Sequence, residues 1–285
     1  MHQEMPIETM FADEFKTYRS THREREYLLV DVRQESEYRQ EHIPGAMLIP
    51  LSEIEQRLGE LSPDKDLLFY CRSGQRSQAA ATLVRDSGMK PARLVNLRGG
   101  ITAWDGAVLS DIPRIGIMEH TLGYEETLYQ AMNMEKGAFL LYRGLSVHFP
   151  DAQPGPALRN LEEMEERHAE AVFEMLDRAT GIKEQIRFDD LFASLPGDIV
   201  EGGRTFDFWL DHLSASEFDD SRCLLLAETA LGLELAAYDL YRTLADRAQT
   251  LREQRDFLVL AEQEKGHVRI LSKVFRDCLP EEFEE

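Results

Sequence analysis

Cysteine is scarce in this chain. Only three of its 285 residues are cysteine, Cys71, Cys223 and Cys278, and no two form a C-x-x-C pair. That excludes a cysteine-ligated zinc or iron knuckle, and the reducing cytoplasm is the expected compartment. Basic residues are outnumbered, with 32 Lys and Arg against 53 Asp and Glu and a net charge of −21. The imbalance is uneven: residues 1–115 hold 15 basic and 18 acidic side chains, which leaves 17 and 35 for residues 116–285. So acidic a chain is a poor ligand for nucleic acid or an anionic membrane, and neither is an expected partner. Long apolar runs are also missing. No stretch approaches the roughly 18 residues of a membrane span, and no basic-then-apolar leader opens the chain, so neither insertion nor export is expected.

What is present is a repeat. Glu135 is answered 99 positions later by Glu234, Tyr142 by Tyr241, Glu165 by Glu264 and His168 by His267. Ala138 and Ala237, Leu145 and Leu244, and Leu161 and Leu260 keep the same offset. Each copy supplies a lone Glu and, 30 positions on, a Glu-x-x-His pair. One such pair is a weak signal in a Glu-rich chain; two in matched register, each with its leading Glu, are a strong one. On a helix, residues i and i+3 share a face, so each Glu and His can aim at one point. Two helices with a Glu and two with Glu-x-x-His supply the ligand set of a di-iron carboxylate bundle.

Residues 26–110 read differently. Strands are expected at Tyr27–Asp31, Leu67–Tyr70 and Arg93–Leu97, with helices at Ser52–Leu61 and Ser77–Ser87. This alternation is that of an α/β domain with a mainly parallel sheet, whose ligands sit at the carboxyl ends of strands. There the chain places Cys71-Arg72-Ser73-Gly74-Gln75-Arg76-Ser77. Gly74 permits a tight path, successive N–H groups can converge on an anion, and the following helix adds partial positive charge. Arg72 and Arg76 add forked cationic donors. Such surroundings lower a thiol pKa and stabilise a thiolate or a persulfide.

Residues 8–113 resemble a single-domain rhodanese. The likeness rests on Asp31-Val-Arg33 with Glu37-Tyr38, His42-Ile-Pro-Gly-Ala46, the Cys71–Ser77 loop, and Leu97-Arg-Gly-Gly-Ile101 with Trp104. It implies a sulfurtransferase in which Cys71 takes a sulfane sulfur from thiosulfate or a persulfide, holds it as a persulfide of its own and passes it to a nucleophile. The substrates would be small sulfur anions or thiols. By the same likeness Arg72 and Arg76 bind the anionic donor, and the backbone of Ser73, Gly74, Gln75 and Ser77 cradles the sulfur. Asp31, Arg33 and His42 take supporting roles. The span Cys71–Arg76 has the length of the sulfur-transferring form, whereas phosphatase relatives use a longer loop.

Four long helices are expected further on, at about 122–148, 157–179, 219–248 and 251–277, with Cys223 packing inside the third. A proline-rich break at 150–156 and a short turn before 251 make two antiparallel hairpins, and the long 182–218 connection lets the second lie beside the first. Residues 119–280 resemble the rubrerythrin branch of the ferritin-like superfamily. The likeness implies an all-α ferritin-like four-helix bundle in which Glu135, Glu165, His168, Glu234, Glu264 and His267 hold two non-haem iron ions, with manganese as the alternative. Tyr142 and Tyr241 become donors to ligand carboxylates. Peroxide or oxygen becomes the substrate, and no motif names the electron donor. This chain departs from the family in carrying Ala237 where a seventh carboxylate is usual, and in lacking a rubredoxin relay. His120, His148, His212, Glu162 and Glu228 are further candidates for the metal's surroundings. The expected organisation is a rhodanese-like domain over 1–113, a linker over 114–121 and the bundle over 122–285, in a homodimer. A metal- or redox-sensing or dimerisation bundle that controls the rhodanese is the alternative to an oxidoreductase.

Overall fold

The computed structural model describes residues 5–111, 123–148, 155–200, 204–205 and 221–278. The expected linker, His120, His212, most of the proline-rich break and the side chain of His148 lie outside the described residues. The chain divides into two compact units, Met1–Pro113 with Tyr238–Glu262, and Arg114–Ala237 with Gln263–Glu285.

In the first unit, β1 (Glu8–Met10), β2 (Tyr27–Asp31), β3 (Met47–Leu48), β4 (Asp66–Tyr70) and β5 (Arg93–Leu97) form one sheet in the order β1-β5-β4-β2-β3. Every neighbouring pair is parallel. Successive strand residues point to opposite faces. Tyr27, Leu29, Leu68, Tyr70, Val95 and Leu97 therefore build one core, with Phe15 and Tyr18 of α1 (Ala12–Thr21). Leu28, Val30, Leu67, Phe69 and Leu94 build the other, with Ala80, Ala81 and Val84 of α3 (Gln75–Asp86). A sheet covered on both faces requires such largely apolar strands. Between β2 and β3 lies α2 (Glu35–Gln40). The three expected strands are all present. The helix expected at Ser52–Leu61 is not; 3-10 turns at Leu51–Glu53 and Leu58–Glu60 occupy the stretch. Gly59 disfavours a continuous helix there. Arg57 holds the irregular path by donating to Glu53, Glu60 and the Leu48 carbonyl.

The rest is largely helical: α4 (Tyr124–His148), α5 (Gly155–Thr180), α6 (Phe188–Ser194), α7 (Ser221–Arg247) and α8 (Leu251–Asp277). All four long helices lie close to their expected spans. Leu141 and Leu145 of α4, Leu158 and Leu161 of α5, Leu226 and Leu233 of α7 and Leu271 of α8 share one core. The connection after α5 holds α6 and a two-stranded antiparallel ribbon, β6 (Ile199–Val200) and β7 (Arg204–Thr205). Mid-helix Gly137 lets that ribbon approach α4, since a Cβ there would come within 2.2 Å of the Ile199 carbonyl oxygen. Cys223 does not merely pack in its helix, as expected: it forms a disulfide with Cys278, their Cα atoms 5.6 Å apart. The start of α7 meets the end of α8, which a separation of 55 positions conceals in the sequence. No helix among the described residues is long and apolar enough to cross a membrane.

Candidate functional site

β4 ends at Tyr70 and α3 begins at Gln75, so Cys71 to Gly74 make the turn between sheet and helix. Gly74 adopts φ +95°, a conformation that side chains with a Cβ rarely take. Its N–H donates to Cys71 Sγ at 3.1 Å, and Ser77 Oγ donates to the same sulfur at 3.4 Å. From behind, the Ile101 N–H bonds the Cys71 carbonyl at 2.9 Å and the Thr102 N–H bonds the Arg72 carbonyl at 3.1 Å. Gly100 makes that approach possible, because a Cβ on it would stand 2.1 Å from the Cys71 carbonyl oxygen. Burial pushes the Cys71 thiol up. The Ser77 hydroxyl and the N–H groups of Ser77, Ser73 and Gly74 outweigh it and bring the pKa below the ordinary thiol value.

Arg72, Ser73 and Gln75 are exposed at the loop's outer side. Arg76 is committed elsewhere: its Nη1 and Nη2 donate to the two oxygens of Glu37, each at 2.7 Å. The pair, aided by the Gln34 N–H, holds the Glu37 carboxyl down at about 2. Sequence reasoning placed Glu37 in a motif but gave it no role. Asp31 and Arg33 form a buried ion pair at 2.7 Å, and Arg33 also donates to the Glu41 carbonyl. His42 Nε2 lies 3.0 Å from Asp239 Oδ2, and Asp239 Oδ1 accepts the Gly45 N–H at 2.5 Å. These contacts fit the supporting roles expected of Asp31, Arg33 and His42.

The six repeated residues of the helical unit come together. Glu135, Glu165, Glu234, Glu264 and His267 are 0% exposed and His168 is 3%. His168 Nδ1 lies 3.1 Å from Glu264 and 3.6 Å from Glu135; His267 Nδ1 lies 2.8 Å from Glu234 and 3.2 Å from Glu165. The two imidazoles stack, with centroids 4.5 Å apart. Three overlapping groups have donor atoms close enough to share one cation: Glu165, His168 and His267; Glu135, His168 and Glu264; and Glu234, Glu264 and His267. Neither oxygen of Glu165 or of Glu264 accepts a hydrogen bond of good geometry. Burial, then the Glu234 and Glu264 charges, pushes Glu165 well above the usual carboxylate range, and burial pushes Glu264 up to about 7. Burial also raises Glu234, but His267 and the Tyr142 hydroxyl hold it below its ordinary value. Tyr142 Oη donates to Glu234, on the other copy of the repeat. Tyr241 is fully buried on α7. Of the further candidates, Glu162 pairs with Arg143 at 3.9 Å and Glu228 is exposed, so neither joins the cluster.

The Rhodanese-like domain family matches residues 12–107. A protein named Sulfurtransferase from Allochromatium vinosum is 44% identical over 77 residues, which are 27% of this chain and 70% of that protein. YqhL of Bacillus subtilis, an uncharacterized protein, is 35% identical over 109 residues, 38% of this chain and 80% of its own length. Thiosulfate sulfurtransferase PspE of Escherichia coli is 38% identical over 61 residues, 21% of this chain and 59% of its own. Through residues 12–107 the chain belongs to the rhodanese-like family.

Proposed function

We propose that this chain is a sulfurtransferase carrying sulfane sulfur on Cys71, joined to a ferritin-like domain that holds two non-haem iron ions and acts on peroxide or oxygen. The observation that carries the sulfur half is the convergence of the Gly74 N–H and the Ser77 hydroxyl on a buried, acidified Cys71 sulfur at a strand-to-helix turn. Relatives named sulfurtransferases support it. The Cys71 thiolate attacks the sulfane sulfur of thiosulfate. The donor's S–S bond breaks with its electron pair on departing sulfite, and the new S–S bond leaves a persulfide on Cys71. The groups that held the thiolate then hold the outer sulfur. A thiol acceptor attacks that sulfur and the Cys71 thiolate leaves. Mass spectrometry after treatment with thiosulfate or with an organic persulfide should find one added sulfur on Cys71 and none on Cys71→Ser; a wild type left unmodified by both would remove the reading.

The carboxylate cluster supports the metal half. Four carboxylates carry a charge of −4, which two divalent cations match, and burying them without such cations is costly. Mixed Glu and His donors suit iron or manganese. Glu135, Glu165, His168, Glu234, Glu264 and His267 would hold the pair, whose redox chemistry would supply electrons to peroxide or oxygen. Tyr142 keeps Glu234 oriented, and its ring is buried in one core with Leu141, Leu161 and Leu233. Ala237 offers no further carboxylate on α7. After anaerobic loading with ferrous iron, about two irons per chain are expected in the wild type, and few in His168→Ala/His267→Ala. A wild type that takes up neither iron nor manganese would leave a sulfurtransferase with a helical scaffold.

A further inference from the structure

The Cys71 loop has two arginines, and the structure treats them unequally. Arg76 spends both terminal nitrogens on Glu37, whose second donor, the Gln34 N–H at 3.2 Å, fixes the carboxylate at the start of α2. The charge of Arg76 is thereby cancelled beside the loop. Asp31 and Arg33 likewise cancel one another. Arg98, next to the Gly99–Gly100 turn, lays its guanidinium over the Phe11 ring at 5.6 Å. Arg72, exposed and one residue from the nucleophile, has no carboxylate partner among the described residues. Of the loop's own two arginines, only Arg72 thus offers a donor an uncommitted charge, set against the negative charge of the thiolate the donor must approach, while the Arg98 guanidinium is held at the Phe11 ring. A dianion is poorly served by that balance; a donor with a single charge or none is well served.

We propose that Glu37 is a specificity-determining residue: by committing Arg76 to an ion pair it selects organic persulfides over dianionic thiosulfate as sulfur donors. This rests on the sulfurtransferase reading above and names the donor class for that site. In the transfer, the Cys71 thiolate attacks the outer sulfur of R–S–SH. The donor's S–S bond breaks, R–S⁻ leaves with the electron pair, and the proton stays on the transferred sulfur. The charge entering and leaving the loop never exceeds one per donor, whereas thiosulfate brings two and releases sulfite with two.

The test compares kcat/KM for thiosulfate and for the persulfide of N-acetylcysteine methyl ester, which is uncharged apart from its persulfide group. Wild type should favour the persulfide. Glu37→Gln frees the Arg76 charge and should raise the thiosulfate-to-persulfide ratio about fivefold, as expected of one partly screened charge, with the gain shrinking as salt is added. Glu37→Asp keeps the charge and should keep the wild-type ratio. Arg76→Gln leaves Glu37 uncompensated and should move the ratio the other way. Equal losses on both donors in Glu37→Gln, or an unchanged ratio, would make Glu37 a loop brace and overturn the proposal alone. A wild type that accepts sulfur from neither donor would overturn the sulfurtransferase reading, and this proposal with it.

Discussion

The Cys71 loop and the helical cluster handle charge in opposite ways. The loop gathers neutral dipoles, the N–H of Gly74 and the hydroxyl of Ser77, around one sulfur that is to be negative. The cluster gathers four carboxylates and two imidazoles from four helices into a space where none is exposed by more than 3%. Dipoles fixed by a strand and a helix stabilise an anion wherever the backbone is right. Carboxylates packed together raise one another's pKa and call for cations. The first arrangement acts through a few adjacent residues of one loop. The second acts only when remote segments meet.

If that contrast is correct, each site can be removed without the other. The largest expected effect is on Cys71→Ser. Sulfur transfer should fall at least about a thousandfold, since no other group in the loop is a sulfur nucleophile. Metal uptake, measured as iron per chain, should not change. A joint loss would break the comparison, because it would tie the cluster's integrity to the loop. The mirror experiment is His168→Ala alone. It removes a side chain within reach of both Glu135 and Glu264, so iron affinity should drop by two orders of magnitude or about that. Sulfur transfer from either donor should be unaltered.

How much could be read from the sequence follows from the same contrast. β2 and β4 are legible because each carries a short apolar run buried on both faces, β5 because Leu94, Val95 and Leu97 are broken only by Asn96, and the Cys71 loop because its residues are contiguous. The three-residue β1 and two-residue β3 are too short to show a period. The cluster's six residues are legible only because the pattern occurs twice. Contacts without a repeat stayed hidden, as with Glu37 to Arg76, His42 to Asp239 and Cys223 to Cys278. The repeat also hides divergence. Arg143 is exposed, whereas its counterpart Arg242 is buried and donates to the Glu24 carboxylate at 3.0 Å, which Tyr238 also meets. Equal positions in the repeat thus serve different structural ends.

A smaller effect sharpens the cluster's side of the comparison. Tyr142→Phe deletes the hydroxyl that Glu234 accepts and leaves the ring in its buried place. Iron affinity should fall about tenfold, the usual cost of losing an outer partner of a ligand. Binding isotherms under anaerobic conditions would measure it. An unchanged affinity would mean that His267 alone orients Glu234.

The smallest effect concerns the dipoles at Cys71. The thiol pKa is depressed, so sulfur-transfer activity should rise with pH to a midpoint below that of a free cysteine and stay level above it. Ser77→Ala deletes a contribution that lowers this pKa and keeps the backbone N–H groups in place. The midpoint should therefore move up. Below it the thiolate fraction shrinks and activity falls, by about threefold at neutral pH; well above both midpoints the two proteins should match. Alkylation rates of Cys71 against pH give the same midpoints without a turnover assay. A uniform loss at every pH, with no shift in midpoint, would assign Ser77 to loop geometry and leave the backbone N–H groups as what acidifies the thiol.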